Sequence, residues 1–343
     1  MRPLLAPLVA LLLTGACGPS STEVHPISID AGTEADAAVA VDAGPPIEVV
    51  FEVSYFRLGV STRDGEESSD AWKTYGFDLD GLCTTEEQSK TSAGTCIRAE
   101  KSQPAVLTDG DDCIDNNFGS QLVPLIKILG GDIEKNLVDG VKKGGATLAI
   151  KLRDLSPSGN DDSVPGALYA AKSASGASLL DGSDVMDVDE SSIVDKDLDR
   201  PIATLEGRVE LVAGKRIWKG KATTLALPVV FLAGAAGSVP VRDVRLEIDL
   251  ESLRGTVGGY SLVTDIATLV NAILGKQKIC PGSIIYDSAH NSVAQSADMP
   301  EALPHDTTKP CASISLGLGV ELTKATLGKA YPTPPPPANP CVK

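Results

Sequence analysis

The sequence predicts a mainly β chain, organised as a single antiparallel sandwich-like domain with one or two short helices and stapled by disulfides. Three observations carry this expectation. Apolar and polar residues alternate with a period of two through most of the body, and β-branched residues are prominent there. Only two stretches show helical spacing. Six cysteines follow a short apolar leader, which is the pattern of an exported chain in an oxidising compartment.

The strands are justified segment by segment. The run "IEVVFEVSYFRLGV" opens the body at Ile47, and "ATLAIKLRDL" sets Leu148, Ile150 and Leu152 against Lys151 and Arg153. A hairpin is expected in "RVELVAGKRIWKG", turning at Gly214-Lys215, followed by "TTLALPVVFL" and "VRDVRLEIDLESLRGTV". Strands at this spacing argue for sheet packed on sheet. In "SLVTDIATLVNAIL", Leu262, Ile266, Leu269, Val270, Ile273 and Leu274 recur at helical spacing, with Gly275 as the stop. The stretch from Gly119 to Gly145 repeats the pattern in two pieces, Leu122 to Leu129 and Ile133 to Val141, broken at Gly130-Gly131. Such helices are expected to plug one end of the sandwich.

The N-terminus reads as targeting rather than fold. Met1 and Arg2 lead into "PLLAPLVALLL", about a dozen residues and too short to span a bilayer of roughly 30 Å as a helix, so residues 1–16 are expected to be a signal peptide. Gly15 and Ala16 directly before Cys17 resemble the lipobox of bacterial lipoproteins, in which the cysteine is acylated after cleavage, although Thr14 stands where leucine is usual. Ordinary cleavage after Ala16 is the alternative. Residues 17–46 contain no lysine or arginine and little that could form a core, which predicts a disordered acidic tether. At flexible-chain scaling about thirty residues reach on the order of 30 Å. The expected organisation is completed by a mainly β domain over 47–330 and a Pro-rich tail over 331–343.

The repeated "DAG" at Asp30 and Asp42, with "GFDLDGLC" and "DGDDCIDN" further along, resembles uncharacterised secreted lipoproteins of myxobacteria and related predatory bacteria. The resemblance covers residues 1 to about 130 well and the rest loosely. It implies an exported, lipid-anchored location and no activity, so it contributes no catalytic residues. Gly18 stands where, by resemblance to enterobacterial lipoproteins, an aspartate would retain the chain at the inner membrane, so an outer-membrane position is expected.

Setting Cys17 aside leaves Cys83, Cys96, Cys113, Cys280, Cys311 and Cys341, and three disulfides are the expected use of them. Fifteen connectivities are open to six cysteines. Nearest neighbours suggest Cys83 with Cys96, Cys280 with Cys311, and Cys113 with Cys341. Zinc is disfavoured because no CxxC pair occurs and the chain has only His25, His290 and His305.

The densest polar stretch, "LTDGDDCIDNNFG", sets Asp109, Asp111, Asp112 and Asp115 beside Cys113, and a second acidic turn places Asp78 and Asp80 beside Cys83. Hard cations need several oxygen ligands at once, so calcium is the cofactor these six aspartates could hold. Neither turn matches the helix-loop-helix calcium motif, because Cys83 and Ile114 stand at the sixth position where glycine is required. The competing use is local: Asp115, Asn116 and Asn117 precede a helix start and can cap its free amides. "DKDLDRPIATLE" places Asp195, Asp197, Asp199 and Glu206 at calcium-loop positions but has Arg200 at the sixth, and is read as an acidic loop entering a strand.

No GxSxG elbow, HExxH or phosphate-cradling loop is present. "GYSLV" lacks the second glycine of a hydrolase elbow, and Ser261 is read as a helix cap. His290 beside Asp287 is read as an exposed loop histidine. The net charge of −16 disfavours nucleic acid as a partner. Aromatics make up only 4% of the chain, but Trp72, Tyr75 and Phe77 cluster beside the Asp78/Asp80 turn, and Trp72 and Tyr75 are candidate contacts for an extracellular glycan or protein. The expectation is a surface-tethered, non-catalytic binding or envelope module. A secreted hydrolase of an extracellular polymer and a purely structural envelope component are the alternatives.

Overall fold

The computed structural model describes residues 45–91, 96–99, 102, 107–130, 132–228, 238–304, 306–335 and 341. The signal peptide, Cys17, nearly all of the acidic tether, His25 and His305 lie outside the described residues. Eleven strands are described: β1 Ile47–Arg57, β2 Thr147–Leu155, β3 Gly166–Ser173, β4 Val185–Asp189, β5 Ile193–Val194, β6 Asp197–Pro201, β7 Ala203–Val212, β8 Lys215–Pro228, β9 Ser238–Asp249, β10 Arg254–Leu262 and β11 Ser313–Tyr331. The helices are α1 Glu86–Thr91, α2 Val123–Gly130, α3 Ile133–Lys142, α4 Val263–Lys276 and α5 Ile284–Gln295, with a π-helical turn, Phe118–Leu122, leading into α2.

The chain is mainly β, as its alternation predicts, but the sheet closes on itself instead of splitting into two facing layers. β1, β2, β3, β7, β8, β9, β10 and β11 pair in that order, and β11 pairs back to β1, giving an eight-stranded barrel. Period-two alternation requires one buried face and is satisfied equally by a sandwich and a barrel. The deciding pairs, β3 with β7 and β11 with β1, join segments far apart in sequence. The expected hairpin between β7 and β8 forms, but it turns at Ala213-Gly214, one residue before the expected Gly214-Lys215; both are at positive φ, which is the backbone that a two-residue turn between twisted strands requires.

β4 adds a second, smaller closure, pairing antiparallel with β3 and parallel with β11, so that β1, β2, β3, β4 and β11 also form a ring. β2 and β3 are therefore buried on both faces. Leu148, Ile150 and Leu152 of β2 join the main core, while Ala149 shares the small ring with Ala167, Tyr169, Ala171 and Met186. Alanine on that side suits the narrower space. Lys151, expected at the surface, is instead nearly buried and paired with Glu48 and Asp199.

The barrel is filled rather than hollow. Trp218 of β8 is fully buried, donates from Nε1 to the Val164 carbonyl at 2.9 Å, and lies against Gly166, Gly207 and Gly220; a Cβ on Gly220 would meet its ring at 2.2 Å. One end of the barrel is closed by helices. Leu122, Val123 and Ile126 around α2, Ile133 and Leu137 of α3, Ile266 to Leu274 of α4 and Val293 of α5 belong to the same apolar cluster as the inward residues of the strands. Two helices stand where the sequence predicts two pieces, α2 ending at Gly130 and α3 starting at Ile133, and α4 runs one residue past Gly275. Ser261 is not a cap: it is buried in β10 and donates to the Pro240 carbonyl. Glu134, buried on α3, accepts from the Leu58 and Val60 amides and from Ser61, satisfying the end of β1 and docking the helix. No helix among the described residues is long and apolar enough to cross a membrane.

Glu52 of β1 is fully buried at the small ring, where Ser178 donates to its Oε2 and also approaches Asp184 Oδ2 at 3.0 Å. Burial, then the neighbouring Asp184, push Glu52 up to about 7. Its folded value lies above its ordinary value of 4.5, so the stability it contributes is complete below that pH and is lost as pH rises through about 7. Urea unfolding of Glu52→Gln is expected to show a flatter pH dependence between 5 and 8 than the parent. Gly220→Ala is expected to lose about 1–3 kcal/mol in the same assay, because the indole has nowhere to move.

Candidate cation site on the outer layer

Inward positions of β10 and β11 are mostly apolar, but the central outward positions are small. Gly258 and Gly317 face each other across the pair, and Thr256 faces Gly319. This flat strip allows a second layer to lie directly on the barrel wall: the Tyr75 backbone rests on Gly317 and the Phe77 ring on Gly258, where a Cβ would stand 2.1 Å and 2.6 Å away. Leu79, Tyr260 and Met299 form a small core between layer and wall, with Phe77 and Leu303 beside them. Arg245 of β9 fixes the layer from the side, donating to the Asp78 and Leu79 carbonyls.

Disulfides hold the layer, but not in the nearest-neighbour pairing. The pairs are Cys83–Cys113, Cys96–Cys311 and Cys280–Cys341. Phe77 and Asp115 bridge their backbones, which brings the turn ending at Cys83 onto the turn ending at Cys113. Ile97 bridges to Pro310, which lays Cys96 beside Cys311. Sequence proximity carries no information about either bridge.

Within this layer the two acidic turns converge. Carboxylate oxygens of Asp78, Asp80 and Asp115 lie within 4.8 Å of one another, a spacing that oxygens sharing one cation at 2.3–2.6 Å can span. Each carboxylate is aimed by a backbone amide: Gly81 donates to Asp78, Leu82 to Asp80 and Leu79 to Asp115, at 2.7, 2.8 and 2.7 Å. Asp109, which accepts from the Thr84 amide, and Asp298, which accepts from Ser315, lie close enough for their charges to act on Asp115. Burial, then the charges of Asp80, Asp298 and Asp109, push Asp115 up to about 9. Burial is the first cause at Asp109 and Asp298 as well, each pushed up to about 7. The donors are hard oxygens with no histidine or thiolate among them, a set that fits calcium or magnesium and not zinc. Asp109, Asp115 and Asp298 also line a cavity of about 40 Å³ together with Arg98, Asn116 and Asn117.

Four of the six aspartates singled out in the sequence thus meet here, and two do not. Asp111 and Asp112 are exposed on the 3-10 turn Asp111–Cys113 and stand outside the cluster. Asp298 was not legible, because it stands alone in "QSADMP" and reaches the cluster only through the fold. The capping role is divided: Asn116 Oδ1 accepts from the Gly119 amide and the Gly317 amide, whereas Asp115 serves Leu79. Asn117 precedes the π turn but directs its amide to the Ser296 carbonyl.

The remaining candidates have structural partners. Tyr75 is fully buried, with its hydroxyl on the Ser61 carbonyl and Arg63 over its ring, so it has no free face for a ligand. Trp72 is half-buried over Gly59. Asp195 pairs with Arg200 and Asp199 with Lys151 around the β5–β6 hairpin, while Glu206 lies exposed on β7, so these residues do not converge. His290 lies on α5, not in a loop, stacked on Tyr286 and bonded to Asn271. Comparison with protein-family models, curated proteins and solved structures finds no match to this chain.

All three raised carboxyls have folded values above their ordinary 3.8. In chelator, the stability they contribute is complete below that pH and is lost as pH rises through about 7 for Asp109 and Asp298 and about 9 for Asp115. Asp115→Asn keeps an acceptor for the Leu79 amide and removes the charge. Its cation-free melting midpoint at pH 8 is therefore expected to exceed that of the parent by several degrees, with little difference at pH 4.

Proposed function

We propose that the chain is a surface-tethered, non-catalytic binding module of the cell envelope whose outer layer is braced by a structural calcium ion. The convergence of Asp78, Asp80 and Asp115, with Asp109 and Asp298 behind them, is the observation that carries this reading. Several carboxylates in one partly desolvated place repel each other unless they are protonated or share a cation. Outside the cell, where calcium is abundant and disulfides persist, a shared divalent ion relieves that repulsion and ties the 78–83 and 109–115 turns to the 298 segment. Anchorage at Cys17 in the outer membrane, with the acidic segment up to residue 46 as a spacer, would present the barrel to extracellular material, and no part of this reading involves nucleic acid.

Raised carboxyls are also what a glycoside hydrolase uses as its general acid, and this favours the hydrolase as the second reading. The cavity beside them has about 40 Å³, space for an ion or water rather than a sugar ring, and for that reason the cation reading is preferred.

Thermal unfolding with excess calcium and then with chelator tests the proposal. Calcium at a hundredfold its dissociation constant is expected to raise the midpoint by about 5–10 °C. Asp115→Asn and Asp80→Asn are each expected to abolish the rise, while Asp111→Asn is expected to retain it. An unchanged midpoint in the parent chain would remove calcium from the account.

A further inference from the structure

We infer that the outer groove over β7, β8 and β9 binds a neutral, hydroxyl-rich glycan chain. This rests on the binding-module reading and names its ligand class. The groove has a volume of about 490 Å³ and runs between two walls, the Phe77 ring of the outer layer and Asp162 of the β2–β3 loop. A volume of that order is within the range of small-ligand and oligosaccharide sites.

Its floor is a cross-strand pattern of donors and acceptors. Glu206, Lys221 and Arg245 stand opposite one another in one row, and Arg208, Lys219 and Glu247 in the next. The second row is largely satisfied internally, because Lys219 pairs with Glu247 and both Arg208 and Lys219 pair with Glu210. The first row is not. Arg245 is committed to Asp243 and the Asp78 carbonyl, while Glu206 and Lys221 are exposed, face each other and form no ion pair among the described residues. Lys221 also stands directly opposite Arg245, a like-charge pair that costs stability unless something lies between them.

Three arguments select the occupant. With Asp162 and Asp243 included, acidic and basic side chains line the groove in equal number, so it complements neither an anion nor a cation. Each sugar hydroxyl both donates and accepts, and carboxylates that only accept beside ammonium and guanidinium groups that only donate satisfy both functions. Phe77 supplies an apolar face for the ring C–H groups. A peptide would ordinarily bind by adding a strand, but β7, β8 and β9 are each hydrogen-bonded on both sides. An acidic polymer would meet a chain of net charge −16.

The test is calorimetric titration of the full chain in saturating calcium with neutral hexamers of β-1,4-glucose, β-1,3-glucose, mannose and N-acetylglucosamine, and with hexagalacturonate and hexaglucosamine as charged comparators. Saturable binding of at least one neutral hexamer, weakened at least fivefold by Glu206→Ala and by Lys221→Ala, is expected. Binding to none of them, tighter binding of either charged hexamer, or affinity unchanged in both variants would overturn the inference. Melting midpoints of the same samples with calcium and with chelator separate the two proposals. A calcium response without glycan binding defeats only the groove, and glycan binding without a calcium response defeats only the cation.

Discussion

Pairing of the last strand with the first is the interaction on which the rest of the molecule depends. β11 is hydrogen-bonded to β10 on one side and, on the other, first to β1 and then to β4. Without the β1–β11 pairing the barrel would have two open edges, each a template for association with another chain. The small ring, which needs both strands, could not form. This contact spans nearly the whole body of the chain, so its loop entropy is recovered only when the intervening strands are in place. Closure also gathers the helices, because the apolar residues of α2 to α5 have a single common target, the end of the barrel where β10 runs into α4.

The outer layer is a consequence of the same wall. Alternation sends Leu316, Leu318 and Val257 inward, which leaves Gly317, Gly319 and Gly258 outward, and a strip without side chains lets the 75–79 segment lie against the backbone. Close contact brings burial, and burial raises Asp109, Asp115 and Asp298. The acidic cluster is therefore a property of packing more than of local charge density: Asp111 and Asp112 sit in the same short stretch as Asp109 and Asp115 but remain exposed and outside the cluster. Two disulfides that bridge different parts of the layer hold this unfavourable arrangement of like charges together, and a cation would relieve it.

Much of this was legible from residues alone. Alternation in "ATLAIKLRDL" and "RVELVAGKRIWKG" gave strands where strands stand, helical spacing gave α2, α3 and α4, with α2 ending at Gly130, and six cysteines formed three bridges. These features are local, or depend on residue type, and so survive in one dimension. Asp78, Asp80, Asp109 and Asp115 were legible as cation candidates for the same reason, since each lies in an acidic turn beside a cysteine.

Closure, pairing and convergence were decided elsewhere. A period-two pattern states that one face is buried and is silent about which strand lies alongside, so a barrel and a sandwich have the same sequence signature. Lys151 reads as a surface residue until Glu48 of β1 and Asp199 of β6 close on it, and Asp298 reads as nothing until the wall brings it to Asp115. Which cysteine meets which depends on where the layer crosses β10 and β11, and that is set by glycines whose neighbours in space lie 181 to 244 positions away. The sequence by itself determined the elements and the chemistry they carry. Only the tertiary structure decided which of those groups share a place, because contact between distant segments is fixed by the shape of the whole wall and not by any pattern along the chain.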